Sequence, residues 1–270
     1  MFNIHLPHYN AFGVKHYQRL HDVLTHTKGA NMDKNTVYLV PNVVNLDQSI
    51  EIRAQTMAQT IERTLAKTGH SKCHIAAHSF TGIDARAAIS MYGQGETVKS
   101  LTTVCSPHLG MMVLDVANGD RTDKHHVGLQ NLEKTFEVLG ITGRAVQEFT
   151  PFNMNAFNEV CEDHPNVDYF SIGAKKNGRV MNIMLRDGYE MVTNSSFGEQ
   201  IDGIVRDVEA RWGHYLMTFE NDHLEVIGFT PGHNPANVFN LVADNTRLAE
   251  IRSDKDLSYE YGLDKMFENN

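Results

Sequence analysis

Cysteine is scarce in this sequence: three in 270 residues, at Cys73, Cys105 and Cys161. They are too few and too scattered for a disulfide framework or a zinc site, which points to a reducing compartment. Basic runs are also missing. With 24 Lys+Arg against 33 Asp+Glu the formal net charge is −9, a balance that argues against nucleic-acid binding. No apolar stretch approaches the roughly 18 to 20 residues a membrane-spanning helix needs. Met1 to Pro7 lack the basic and apolar regions of a secretory signal, so the expectation is an intracellular protein, in the cytosol or an organelle such as the mitochondrion. Low-complexity segments, internal repeats and linkers are absent as well. The expectation is one domain over 1–270, with an insertion at about 108–165 and length enough for a sizeable core.

What is present is an alternation of apolar runs and helical patterns. Phe2–Pro7 reads as a short buried strand, and Val14–Thr27 as a helix with Tyr17, Leu20 and Leu24 on one face. Thr36–Val40 is a strand-like run closed by Pro41. Across Asp47–Lys67, Ile50, Ile52, Met57, Ile61 and Leu65 recur at helical spacing until Gly69. Cys73–Ala77 is strand-like, Ile83–Met91 helical and Val98–Val104 a strand. After the irregular stretch from His108 to Pro165, Val167–Gly173 resumes the strand pattern. Asn182–Val192 is ambiguous, Tyr215–Phe219 a short strand, Ala236–Ile251 a closing helix, and Arg252–Asn270 peripheral. Such alternation implies right-handed crossovers and a mostly parallel sheet, the α/β class, with ligands bound beyond the carboxyl ends of the strands.

The sharpest local feature is Cys73-His74-Ile75-Ala76-Ala77-His78-Ser79-Phe80-Thr81-Gly82. A strand runs through small residues into a serine and then a helix, the context in which a serine hydroxyl is pushed out above a sheet. The amide after it, at Phe80, is then a candidate donor to a developing oxyanion. The pattern Gly-x-Ser-x-Gly appears here with Ala77 and Thr81 at the flanks and the glycine displaced to Gly82. A β-branched Thr81 at a crowded helix start is the more serious departure, and a serine in this place also reads as a helix N-cap. His74 and His78 share a strand face, but no third ligand stands at metal-binding spacing. His125-His126 reads as a solvated loop.

His78 to Arg86 resembles the nucleophile elbow of α/β-hydrolase lipases, in particular the bacterial triacylglycerol lipase family. Leu101 to Gly110, with Ser106-Pro107-His108, resembles that family's strand ending in Thr/Ser-Pro-His-x-Gly. Phe157-Asn158 and Val167-Asp168-Tyr169-Phe170-Ser171 resemble its Phe-Asn and Tyr-Phe-Ser segments before the acid. Ile201-Asp202-Gly203-Ile204-Val205 resembles the stretch that carries the aspartate, and Asp222-His223-Leu224 the one that carries the histidine. The order Ser, Asp, His is the one this fold uses, and the resemblance spans roughly residues 2 to 250.

The resemblance implies a serine ester hydrolase of the lipase or carboxylesterase type, acting on a lipid or small ester through Ser79, Asp202 and His223. It implies a second oxyanion amide at Asn10, in a loop where His8 fits but Tyr9 replaces a glycine. It also suggests a lid or acyl-binding wall in the insertion. No cofactor or metal is expected, except that relatives bind a structural calcium near the position of Glu225. The alternative is a hydrolase-fold protein kept as a structural subunit with protein partners, because Tyr9 and Thr81 both fall on catalytic machinery. Acyl or thioester transfer with the same nucleophile is a third reading.

Overall fold

The computed structural model describes residues 2–4, 39–41, 48–119, 133–136, 144–195, 198, 200–230 and 232–254. The expected helix over Val14–Thr27, the loop bearing His8, Tyr9 and Asn10, His125-His126 and the tail from 255 lie outside them.

Among the described residues six strands form one sheet: β1 Phe2–Ile4, β2 Leu39–Pro41, β3 Cys73–His78, β4 Val98–Val104, β5 Asp168–Ala174 and β6 His214–Phe219. Their order is β2-β1-β3-β4-β5-β6 and every neighbouring pair is parallel. The expected parallel α/β sheet is therefore present. Pro41 falls inside β2, paired with Ile4, rather than beyond it. Among the described residues β2 is an edge strand, where a missing N–H costs little.

The helix over Asp47–Lys67 is α1, Ile50–Thr68. Ser49 caps it by accepting from Ile52 N–H, and Gly69 closes it at φ 73°. The helix after β3 begins at Phe80, three residues before the periodicity places it, as α2 Phe80–Met91. Among the described residues of the expected insertion there are helices and turns but no strand: α3 Met112–Gly119, α4 Arg144–Glu148 and α5 Pro151–Val160. The ambiguous stretch resolves as a 3-10 turn, Ile183–Leu185, leading into α6 Arg186–Asn194. The closing helix is α7, Ala236–Asp254.

The apolar faces of these elements meet on both sides of the sheet. Ala54, Ile61, Ile83, Ala88 and Leu101 belong to one buried cluster, and Cys105, Ile172, Val226 and Val242 to a second. A buried ion pair crosses the first. Arg53 on α1 and Asp84 on α2 are both 0% exposed, with Arg53 Nε donating to Asp84 Oδ1 at 3.0 Å. Arg53 also reaches Glu148 on α4 at 3.4 Å, and Glu148 accepts from Ile50 N–H at 3.0 Å. One guanidinium thus joins both helices to the insertion. Burial pushes the Asp84 carboxyl above its usual range, opposed by the adjacent Arg53.

Removing one member of such a pair leaves an uncompensated charge in the interior, whereas removing both does not. Arg53→Met is expected to cost about 3 to 5 kcal/mol of stability. Arg53→Met/Asp84→Leu should recover most of that loss, which urea unfolding of the two variants would measure.

Candidate active site

Three loops at the carboxyl ends of β3, β5 and β6 bring together the residues that the sequence singles out. Ser79 is the single residue between β3 and α2, with φ 58° and ψ −137°. Non-glycine residues rarely enter this region, and they persist there only when the surroundings impose it. Here the surroundings are close packing of α2 on the sheet. A Cβ on Gly82 would stand 2.1 Å from Ser106 Oγ and 2.9 Å from Thr103 Cγ2. The glycine that the pattern places at 81 is required one residue later.

Thr81 does not crowd this turn. It is fully buried, and its hydroxyl donates to the His78 carbonyl at 2.7 Å, satisfying the strand's last oxygen. Ser79 is not an N-cap in the usual sense, because its side chain makes no cap hydrogen bond. Its hydroxyl is 2.9 Å from His223 Nε2 instead.

His223 Nδ1 in turn lies 2.7 Å from Asp202 Oδ2. A carboxylate only accepts, which assigns the Nδ1 proton to this bond and leaves Nε2 to accept from the Ser79 hydroxyl. Asp202 is held in place by its own loop. Its Oδ1 accepts from Ile204 N–H at 2.9 Å and Val205 N–H at 2.8 Å. Gly203 permits this turn at φ 105°, where a Cβ would stand 2.6 Å from Leu185 Cβ. His223 N–H donates to the Asp202 carbonyl at 3.0 Å, so the two loops are also joined through backbone. Asp202 is fully buried and His223 nearly so, while Ser79 is half-buried.

Phe80 N–H lies in the first turn of α2, whose amides lack acceptors within the helix. The Phe80 ring stacks on Phe149 from the insertion with centroids 3.9 Å apart, fixing the residue that follows the serine. Asn10, the other expected oxyanion amide, lies outside the described residues.

Two further residues, His78 and Cys105, lie beside the site in places the sequence does not assign. His78 does not pair with His74 on a metal. Its Nε2 donates to the His223 carbonyl at 3.0 Å, and the two rings lie 4.5 Å apart. His74, near the start of β3, has its ring nitrogens 2.7 Å from Ser100 Oγ and 2.9 Å from Glu250 on α7. Cys105, at φ 51° and fully buried, brings its sulfur within 4.8 Å of the facing Asp202 and His223 ligand atoms. Burial and the nearby Asp202 charge push this thiol well up and keep it protonated. Asp202 and His223 are hydrogen-bonded directly to each other, which leaves no place for an ion between them. The strand period that sets His78 on one face with His74 also puts it at the carboxyl end of β3, beside the site.

Glu225 tests the calcium that the resemblance suggests. Its carboxylate is 2% exposed. One oxygen is bound by the Lys176 ammonium and lies 2.7 Å from His233 Nε2, and the other accepts from Asp222 N–H at 3.1 Å. The Asp222 carboxylate accepts from the amides of Asn182, Leu224 and Glu225 at 2.9–3.0 Å. Calcium requires six to eight oxygen ligands. With an ammonium at Glu225 and backbone N–H groups on Asp222, these side chains do not fit that ion.

Comparison with known proteins agrees with this architecture. No protein-family model matches the chain, and no curated protein matches it in sequence. Solved structures do. The mature form of a Bacillus licheniformis lipase is 20% identical with a TM-score of 0.61, over 90% of this chain and 90% of that one. A metagenomic carboxyl esterase is 15% identical with a TM-score of 0.66, over 93% of this chain and 76% of that one. The phospholipase PlaB of Legionella pneumophila is 13% identical with a TM-score of 0.56, over 96% of this chain and 66% of that one. Identities this low carry the architecture alone: the chain has the α/β-hydrolase fold.

Proposed function

We propose that the protein is a carboxylic ester hydrolase of the lipase or carboxylesterase type, with Ser79 as nucleophile, His223 as general base and Asp202 as its orienting carboxylate. The observation that carries this reading is the continuous relay from Ser79 Oγ to His223 Nε2 and from His223 Nδ1 to Asp202 Oδ2, at 2.9 and 2.7 Å. A serine hydroxyl is almost wholly protonated at neutral pH, so it becomes a nucleophile only beside a base. The strained φ of Ser79 gives it that position above the sheet. The lipase and esterase functions of the structurally similar proteins point the same way.

In this mechanism Ser79 Oγ attacks the ester carbonyl while His223 Nε2 takes its proton. The Nδ1–H bond to Asp202 stabilises the imidazolium that forms. The tetrahedral oxyanion is held by Phe80 N–H, with Asn10 N–H as second donor. Collapse expels the alcohol, which receives the proton from His223. Water then repeats the sequence on the acyl-enzyme and releases the acid. The substrate is a lipid or small ester.

Fluorophosphonate labelling of the purified protein, with short- and long-chain p-nitrophenyl esters assayed in parallel, tests this directly. Label and turnover are both expected, and both should vanish in Ser79→Ala. A folded wild-type protein that neither labels nor hydrolyses any ester would overturn the assignment.

Asp202→Asn is expected to lower kcat by roughly three to four orders of magnitude with little change in KM, because the wrong tautomer faces the serine. Steady-state kinetics checks this.

Thr81→Gly, which restores the residue of the usual pattern, should not raise turnover. Losing the hydroxyl's bond to the His78 carbonyl and placing glycine in a helix should instead cost about 1 to 2 kcal/mol, read by thermal melting.

A further inference from the structure

The loops that carry Asp202 and His223 share a half-buried positive charge. Lys176 follows β5 by two residues and touches both. Its backbone N–H donates to the Ile201 carbonyl at 3.0 Å, next to Asp202. Its ammonium pairs with Glu225, which opens the 3-10 turn two residues after His223. Lys176 is 13% exposed and Glu225 2% exposed, so this pair is shielded from water and is stronger than a surface ion pair. Glu225 also fixes the start of the histidine loop by accepting from Asp222 N–H. The preceding residue, Lys175, donates its backbone N–H to the Phe219 carbonyl at the end of β6. One short segment is therefore bonded to the end of β6, the aspartate loop and the histidine loop.

We propose that Lys176 is a positioning residue whose ammonium, in place of a divalent cation, fixes the histidine loop against the aspartate loop and so sets the His223–Asp202 geometry. The proposal rests on the Ser79–His223–Asp202 reading. A tethered cation differs from a bound one in its consequences. It cannot dissociate, so the geometry does not depend on free metal, and it satisfies one carboxylate where calcium would call for several. His233, 2.7 Å from the same Glu225 oxygen and 40% exposed, sits on the solvent side of the pair.

The test compares the wild type with Lys176→Met and Lys176→Arg. It reads kcat and KM on p-nitrophenyl butyrate, thermal melting, and the far-downfield proton NMR signal of His223 Nδ1–H, assigned by its loss in Asp202→Asn. The wild type should keep all of these in the presence of EDTA or of added calcium. Lys176→Met should lower kcat about ten- to hundredfold with KM within about twofold, because displacement of a catalytic group by an ångström costs on that scale. The downfield signal should weaken in the same variant, and Lys176→Arg should restore most of both. If Lys176→Met does not fold, Glu225→Gln, which keeps the shape and removes the attraction, is read in the same way.

Unchanged kcat and downfield signal in a folded Lys176→Met would overturn the proposal. So would loss of turnover or signal from the wild type in EDTA, since a divalent cation would then hold the loop. A wild type that shows the downfield signal but no labelling or ester turnover would remove the hydrolase reading. The signal's response to Lys176→Met would still decide the role of the lysine.

Discussion

The site depends on one turn in which the chain passes from strand to helix through a single residue. β3 ends at His78 and α2 begins at Phe80, so Ser79 must take a φ of 58° that ordinary residues avoid. That conformation costs free energy, on the order of 1 to 3 kcal/mol. It is held because the elements on either side cannot move. Ser79 N–H is bonded to the Val104 carbonyl of β4 at 2.9 Å, and α2 lies so close to β4 that position 82 has no room for a Cβ. The strain places a hydroxyl above the edge of the sheet, where the loops after β5 and β6 can meet it.

Much of this was legible in the sequence, for physical reasons that differ from element to element. Val98–Val104 is a β-branched run between clear breaks, and β4 occupies that span. Ile50 to Leu65 repeats at helical spacing up to a glycine stop, and α1 follows it. The start of α2 was not legible from periodicity. Only the serine motif puts Thr81 at a helix start: Thr81, Gly82 and Asp84 are polar or small and carry no apolar period, yet all three are buried there. Their burial comes from tertiary packing, which hydrophobic periodicity does not report. Asp202 and His223 could be chosen among many acids and histidines only by their neighbours in the chain, since sequence alone does not bring positions 79, 202 and 223 together.

Thr81 shows how a pattern can mislead when its mechanism is left out. Glycine is needed at the start of such a helix for close packing, and here that need falls on Gly82 against Ser106 and Thr103. With the close approach moved one residue along, position 81 is free to carry a hydroxyl that the His78 carbonyl can use. An inactive, structural role would need Thr81 to be a fault at this turn, and Thr81 is instead buried with its hydroxyl satisfied. Lys176 was invisible for the opposite reason. Nothing in its local sequence marks it, and its place beside the site comes wholly from which distant carboxylate it faces.

The helix behind the serine is held from two sides by buried charge. Asp84 faces Arg53 on α1. Arg86, two residues on, donates to Asn158 on α5 at 2.9 Å and lies 3.5 Å from the Trp212 ring centre. Apolar packing alone would tolerate a small slide of α2 along its axis, since one aliphatic contact replaces another at little cost. A buried charge does not tolerate it, because its partner cannot be exchanged and desolvation is repaid only at good geometry. Two such residues at positions 84 and 86 therefore fix the axial position of α2, and with it the place of the Phe80 amide and the Ser79 hydroxyl. Buried ion pairs are poor sources of net stability. Their contribution in this fold is to registration, and the same logic carries over to Lys176 and Glu225, where what is held in register is the histidine loop.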